Sequence, residues 1–260
     1  MRKYLFLLKN QVSLVAAYRF EMVSRWIMSA FDTIVYVALW SLAAQGDPEQ
    51  IRKVFLYFVL FYGILHGLQT GKVAKWMAED ISSGQLNQYL VRPINFPLVQ
   101  VIKSVTVLIV RSLVPALIIA VGILVLPDYF APVGVPNLIL AILFALLGLV
   151  LWNLFMILMG TAAFWVTEID SLLTVVDLTL NLFKGAYIPA FLFPAQVSRI
   201  LSFTPIPYLS AFPIAVYQQP ITTSTALFSL AIIGSWGLAL GLLAALTYRK
   251  GLEHYEAVGG

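Results

Sequence analysis

The sequence predicts an all-α polytopic membrane protein whose chain crosses the bilayer six times. Three observations support this fold class. Hydrophobic residues make up 61% of the 260 residues, and the mean hydropathy is +0.91. Charged residues are only 11% of the chain, whereas they are about 25% of typical soluble domains. Apolar runs of about twenty residues, the length that crosses a bilayer core, recur along the chain.

The predicted spans cover residues 26–44, 54–71, 104–126, 138–166, 172–190 and 226–248. The fifth span contains two charged residues, Asp177 and Lys184, and runs into a proline-rich stretch. The predicted organisation is an interfacial helix at 1–25, spans one and two within 26–71, a cytoplasmic loop at 72–100, spans three to five within 101–190, re-entrant extracytoplasmic helices at 191–220, the last span within 221–248 and a cytoplasmic tail at 249–260.

Basic residues predict that both termini lie in the cytoplasm, because Lys and Arg concentrate on that side of a membrane protein. With this orientation the cytoplasmic flanks hold ten basic residues: Arg2, Lys3, Lys9, Arg19, Arg25, Lys72, Lys75, Arg92, Arg249 and Lys250. The opposite flanks hold four: Arg52, Lys53, Lys184 and Arg199. The chain has no cysteine, which excludes disulfides, thiolate metal sites and cysteine nucleophiles.

The segment 1–25 predicts an amphipathic helix on the cytoplasmic interface. Apolar residues recur there at helical spacing: Leu5, Leu8, Val12, Val15, Met22 and Trp26. A cleaved signal peptide is disfavoured because the first apolar run is short and stops at Lys9.

The loop at 72–100 contains a pattern that predicts a short helix over 83–91. Ser82 and Gln85 fit a capping box, and the helix should end where Arg92 precedes Pro93. Its apolar face would consist of Leu86, Tyr89 and Leu90. This helix either rests on lipid or on its own bundle, or it docks a soluble cytoplasmic partner with Glu79 and Asp80 nearby.

The stretch 185–220 carries six of the thirteen prolines of the chain and is strongly apolar. Prolines at this density are incompatible with one spanning helix. Irregular backbone at membrane depth needs cover from protein or a water-filled cavity. We therefore expect short re-entrant or interfacial helices packed on the bundle.

The chain contains no pattern for catalysis or for a metal. The segment from Gly67 to Lys72 resembles a P-loop but has three residues between its glycines instead of four. Gly63, Gly67 and Gly71 instead predict close packing with another helix. His66 and His254 are too few and too far apart for a zinc site.

Three charged residues fall inside predicted spans: Asp32, Arg111 and Asp177. Charges inside the membrane are costly, and they are therefore functional candidates. They either pair with one another as a structural element or contact a substrate.

The order of these features resembles that of an ABC-2 type transporter permease along essentially the whole chain. One motif is G-x-L-x-x-x-L-x-R-P, with Gly84, Leu86, Leu90, Arg92 and Pro93. The other is G-x-x-I-P-x-x-x-F-P, with Gly185, Ile188, Pro189, Phe193 and Pro194. The chain is most similar to the branch of drug or viologen-type exporter permeases.

The resemblance implies a coupling helix that fits a groove of a separate ATPase, with these residues in or near it: Glu79, Asp80, Ser82, Gly84, Gln85, Leu86, Tyr89, Leu90 and Arg92. The expected partners are two copies of a P-loop ABC ATPase, which hold ATP and Mg, a second permease subunit, identical or homologous, and membrane lipid. No nucleic acid is expected, and no cofactor is expected in this chain. The implied location is the bacterial inner membrane.

The resemblance also implies export of a small amphipathic or cationic, drug-like or lipid-like substrate. The same architecture exports lipid-linked glycans or polymers in other branches. The residues themselves leave two alternatives open. One is an ion-coupled secondary transporter that uses Asp32 and Asp177. The other is a lipid-modifying membrane enzyme, which should show a cluster of His, Asp and Glu at one membrane face, and the sequence lacks such a cluster.

Extracytoplasmic re-entrant helices at 194–203 and 207–217 are implied in the same way. Six aromatic residues would then either line the outer end of the pathway or form an interfacial aromatic belt: Phe191, Phe193, Phe203, Tyr208, Phe212 and Tyr217.

Overall fold

A computed structural model describes residues 19–44, 46–69, 71–92, 94–166 and 168–255. Across these residues the chain is helical and contains no strand. The predicted interfacial helix at 1–25 lies mostly outside the described residues. Residues 19–25, the described part of it, form the start of the first helix.

The first half of the chain forms α1 (Arg19–Ala43), α2 (Pro48–Leu60), α3 (His66–Leu68), α4 (Lys72–Ser82), α5 (Asn87–Leu90) and α6 (Phe96–Val125). The second half forms α7 (Pro127–Phe130), α8 (Val135–Thr161), α9 (Ile169–Phe183), α10 (Ala195–Leu201), α11 (Ile206–Leu209), α12 (Ala211–Gln218) and α13 (Thr223–His254). A π-helical turn at Phe61–Leu65 joins α2 to α3, and 3₁₀ turns lie at Ala162–Phe164 and Ala190–Leu192.

Five helical stretches within the described residues are long and apolar enough to cross a membrane: Phe20–Ala43, Pro48–Ser82, Phe96–Val125, Val135–Phe164 and Thr223–His254. They coincide with predicted spans one, two, three, four and six. At the predicted fifth span the structure has α9, whose 15 residues measure about 22 Å. A sixth crossing therefore remains a prediction.

Polar side chains fix where several of the long helices begin. The carboxylate of Asp47 accepts a hydrogen bond from a backbone amide at the start of α2, and the side chain of Asn95 does the same for α6. Thr222 caps α13 in the same way. Proline follows closely in the first two cases, where its missing N–H is not needed. The apolar pattern and these caps together set the limits of the spans.

Helix α8 lies at the centre of the fold, in contact with α4, α11, α12 and α13. Trp152, Phe144 and Met156 of this helix are almost completely buried. Gly160 allows α4 to approach closely, since a Cβ at this position would lie 2.8 Å from the Cβ of Met77. The core therefore forms around one apolar helix that has almost no polar face.

The segment 82–92 differs from the sequence prediction. The predicted capping box is wrong, because Ser82 and Ser83 end α4 instead of starting a new helix. The Ser83 hydroxyl donates to the carbonyl of Glu79 at 2.6 Å. Gly84 then turns the chain with a φ of 77°, a conformation that favours glycine. Only the single turn α5 follows, so the predicted helix over 83–91 is much shorter.

Candidate substrate cavity and coupling segment

A cavity of about 1020 Å³ opens among α1, α3, α4, α6, α8 and α9. One face of α1 lines it with Glu21, Arg25, Ser29 and Asp32, residues that recur every three or four positions. The α9 face contributes Asp170, Thr174 and Asp177 with the same spacing. Both helices therefore direct a polar face toward the cavity and an apolar face outward, as a cavity within a membrane bundle requires.

Gly63, Gly67 and Gly71, which were expected to pack closely against another helix, line this cavity. Gly67 and Gly71 have no atom within 4 Å of the position a Cβ would take, and Gly63 only touches side chains of α6 at 3.8 and 3.9 Å. The expectation that all three glycines pack against a helix is therefore wrong within this chain. Their missing side chains instead widen the cavity along its α3 and α4 wall.

A cluster of charged residues lies at one end of the cavity. The carboxylate of Glu21 contacts Arg25 at 3.1 Å, Lys72 at 3.4 Å and Arg111 at 2.8 Å. Arg111 therefore pairs with Glu21, and not with Asp32 or Asp177, the two acids of the predicted spans with which it could pair. The sequence places residues along each helix but does not give the offset between neighbouring helices, and this offset decides which charges meet.

The two acidic residues within the spans lie further along the same cavity. Asp32 is half-buried, and Asp177 is exposed to the cavity and accepts a hydrogen bond from Asn181 at 2.8 Å. Among the described residues neither carboxylate forms an ion pair. Tyr62 and Trp152 also belong to the wall of the cavity, although each is almost completely buried. An acidic, aromatic region of this kind is suited to an organic cation.

Aromatic side chains hold the start of the proline-rich stretch against the bundle. Tyr57 donates to the carbonyl of Gly185 at 3.1 Å, and Tyr62 donates to that of Ala186 at 2.9 Å. The ring of Tyr36 stacks on Tyr62 at 5.5 Å and on Tyr187 at 6.2 Å. Gly185 has a φ of 94°, so this tight turn needs glycine.

Lys184 is completely buried, although the predicted topology counts it among the basic residues of the extracytoplasmic flanks. Its ammonium lies 4.9 Å from the centre of the Trp152 ring. Its Nζ has no hydrogen-bond partner among the described residues. The one signal in the sequence was its position directly before Gly185, at the turn that folds back onto the bundle.

Four of the six aromatic residues predicted for the outer end line a second, apolar cavity of about 440 Å³: Phe191, Phe193, Tyr208 and Phe212. Phe203 lies outside it and packs edge-on against Phe228 at 5.6 Å. Tyr217 is also outside the cavity, and its hydroxyl donates to the carbonyl of Phe130 at 2.6 Å. Burial raises the pKa of Tyr217 to about 12, so this hydroxyl keeps the proton that it donates.

The proline-rich stretch folds back so that its α11 tip contacts the middle of α8. A Cβ at Gly148 would overlap the carbonyl oxygen of Tyr208 and lie 3.2 Å from that of Leu209. The side chain of Gln69 donates to the carbonyl of Leu209 at 2.6 Å, which satisfies a backbone group at the turn. From this tip α12 runs back toward the start of α8, where Asn137 donates to the carbonyl of Val216 at 3.0 Å.

The segment predicted to couple to an ATPase has one buried and one exposed side. Leu86 is completely buried, and Tyr89 is half-buried, with its ring 5.0 Å from Phe96. These two residues therefore rest on the bundle, one of the alternatives for this apolar face, and do not form an exposed docking surface. The exposed apolar surface consists of Leu90, 48% exposed, and Val91, 82% exposed. Burial of Leu86 follows from the tight turn at Gly84, which points the chain back toward α4 and α6.

Polar residues of this segment also divide into two groups. Asp80 accepts a hydrogen bond from the side chain of Gln100 at 2.6 Å, which ties α4 to α6. Glu79, Gln85 and Arg92 are exposed, and Arg92 directly follows Val91 in the chain. The segment thus presents a small apolar patch within a polar rim, a composition typical of a docking surface.

Comparison with known protein families agrees with this architecture. Residues 50–259 match the family described as ABC-2 family transporter protein, which covers most of the chain. The chain therefore belongs to the ABC-2 family of transporter permeases, multi-pass membrane proteins that form the membrane component and generally work with a partner ATPase. A search of curated proteins found no match.

Proposed function

We propose that this chain is the permease subunit of an ATP-driven exporter that moves small amphipathic, cationic or lipid-like compounds out of the cytoplasm or the inner leaflet. The observation that carries the proposal is the cavity of about 1020 Å³ in a family permease, with an acidic and aromatic region beyond its charged end. Its volume is at the upper end of the roughly 300–1,000 Å³ range of pockets for drug-sized ligands.

The acidic region would select the substrate by charge. Asp32 and Asp177 form no ion pair among the described residues, so a cationic group entering the cavity would provide the missing counter-charge. Tyr62 and Trp152 belong to the wall of a site partly shielded from water, which strengthens the attraction between a cation and the two carboxylates. Such a site favours flat or lipophilic cations over neutral sugars.

Energy would come from a separate subunit. Two copies of a P-loop ATPase, holding ATP and Mg, would dock on the exposed patch of Leu90 and Val91 in each of two permease subunits. Closure of the ATPase dimer would pull on the segment at 84–92, and this segment would transmit the movement to α4. The segment and α4 are attached to the bundle by the buried Leu86 and by the hydrogen bond between Asp80 and Gln100. ATP would thereby shift the bundle between inward-open and outward-open states.

The proposed topology has both termini in the cytoplasm of a bacterial inner membrane. Within it, the segment 191–220 would form re-entrant helices at the outer side, and α9 with the residues after it would complete the fifth crossing. The contact between the α11 tip and the middle of α8 supports a segment that enters the membrane and leaves on the same side. The apolar cavity of about 440 Å³ would then be the outer end of the pathway.

An ion-coupled transporter is a second candidate, favoured by the lack of a cationic partner for Asp32 among the described residues. The two mechanisms differ in their partner. A tagged chain isolated from native membranes should retain a P-loop ATPase at a one-to-one ratio if the proposal is correct. Isolation without any ATPase, together with transport by the purified chain alone, would favour ion coupling.

A further inference from the structure

The charged end of the large cavity carries more positive than negative charge. Among the described residues Glu21 is the one acidic residue in an ion pair with Arg25, Lys72 and Arg111, so the cluster has a formal net charge of +2 (three positive and one negative). The neighbouring Lys75 does not change this surplus because it pairs with Asp170 at 3.3 Å. Uncompensated charge beside a bilayer is costly, and a bound anion would remove that cost.

The guanidinium of Arg111 is the buried part of this cluster. Arg111 is 8% exposed and lines the cavity. One of its terminal nitrogens donates to Glu21 at 2.8 Å, but its Nε has no hydrogen-bond partner among the described residues. A guanidinium presents donors in a planar fork that fits phosphate oxygens. Arg111 therefore retains a donor for a further anionic group.

The position of the cluster determines which anion reaches it. Glu21 and Arg25 lie on the first turns of α1, and Trp26 beside them donates its ring N–H to the carbonyl of Arg111 at 2.9 Å. The apolar face of α1 continues from this point with Ile27, 63% exposed, and Phe31, 61% exposed. Tryptophan and basic residues at the end of an apolar helix are typical of the level of lipid head groups. Basic pockets between helices at this level bind anionic lipid head groups.

We infer that Arg25, Lys72 and Arg111 form a binding site for the phosphate of an anionic lipid head group at the charged end of the cavity. The lipid would lie with its acyl chains along the exposed face of α1. In the proposed orientation this lipid belongs to the cytoplasmic leaflet. The site is separate from the acidic region, since Asp32 lies seven residues beyond Arg25 along α1, a rise of about 10 Å. Lipid binding here requires neither an ATPase nor export, so it stands independently of the proposed function.

The test uses the purified full chain in detergent micelles with added lipid, and measures binding by native mass spectrometry and the melting temperature. The probes are phosphatidylglycerol, phosphatidylcholine and soluble glycerol 3-phosphate. The variants Arg25→Gln and Lys72→Gln should each bind phosphatidylglycerol about fivefold more weakly than the wild type. Lys53→Gln is the matched control because Lys53 is, like Lys72, a partly buried lysine in an ion pair, here with Glu49, but it does not line the cavity.

Glu21→Gln provides the opposite test. It removes the single negative charge, so phosphatidylglycerol should bind more tightly although the variant loses its internal ion pairs. Arg25 is half-exposed, so its replacement leaves a folded protein to measure. Equal binding of phosphatidylglycerol by the wild type, Arg25→Gln and Lys72→Gln would overturn the inference, as would weaker binding by a folded Glu21→Gln variant. Equal stabilisation by glycerol 3-phosphate would overturn the assignment to a lipid.

Discussion

The exposed and buried sides of the segment at 84–92 predict two separable phenotypes. Replacing Leu90 and Val91 with Asp should release the partner ATPase and leave the bundle folded. Replacing Leu86 with Ala should destabilise the bundle. The contrast arises because Leu86 is completely buried, whereas Val91 is 82% exposed.

The expected sizes follow from these environments. Truncation of a fully buried leucine costs about 2–5 kcal/mol of the free energy of unfolding. Substitution of exposed residues changes it by roughly 0.5 kcal/mol or less. At an interface, loss of a central apolar contact costs about 2 kcal/mol or more, which corresponds to roughly a 30-fold weaker affinity for the ATPase.

The assay is co-purification of the ATPase with the tagged chain, together with the melting temperature of each permease variant. Asn87→Asp combined with Gln88→Asp is the matched control, because it adds the same two charges at exposed polar positions of the same turn. Retention of the ATPase at the wild-type ratio by the Leu90→Asp, Val91→Asp double variant would refute the docking role of this surface. A wild-type melting temperature for Leu86→Ala would refute its role as the buried anchor.

Three further predictions concern the rest of the fold. Gly148→Ala should destabilise the protein by about 1–3 kcal/mol in thermal unfolding, because its methyl group would displace the α11 tip. Gly241→Ala, whose methyl group would meet no atom within 4 Å, should be neutral or slightly stabilising. Equal melting temperatures of the two variants would show that the tip does not pack as described. Lys184→Met should leave stability unchanged or raise it by about 1 kcal/mol, since it removes a buried charge. A large loss of stability would show that the contact of the ammonium with the Trp152 ring outweighs the cost of burying the charge. Tags on the two termini should be accessible only from the cytoplasm and a Pro132→Cys thiol only from outside, whereas labelling of the termini on opposite sides would contradict the six-span topology.

Much of the fold follows from apolar length alone. Five predicted spans coincide with long helices, because a run of about twenty apolar residues has few stable alternatives to a helix. The limits of the helices depend on polar caps such as Asp47 and Asn95, and these lie outside the apolar runs. Each helix of the structure therefore begins several residues before the corresponding prediction.

Tertiary contacts were harder to predict. Ser82 and Ser83 fit the start of a helix, but the same hydroxyls bond equally well to a carbonyl one turn earlier, and Gly84 decides between the two through its positive φ. Glu21 was not recognised because it lies in the predicted interfacial helix, five residues before the first predicted span, whereas its importance comes from cations on α4 and α6. Its partners depend on how far neighbouring helices are displaced along their axes, which one sequence does not specify.

ATP-dependent uptake into inside-out membrane vesicles tests the central claim most directly. Vesicles that contain this chain and its partner ATPase should accumulate a lipophilic cation such as tetraphenylphosphonium when ATP is present. Uptake should persist after a protonophore collapses the proton gradient, and Asp32→Asn should weaken the apparent affinity for the cation without releasing the ATPase. Uptake that does not depend on ATP and stops when the protonophore is added would contradict the account. Equal uptake by vesicles that lack the chain would contradict it as well.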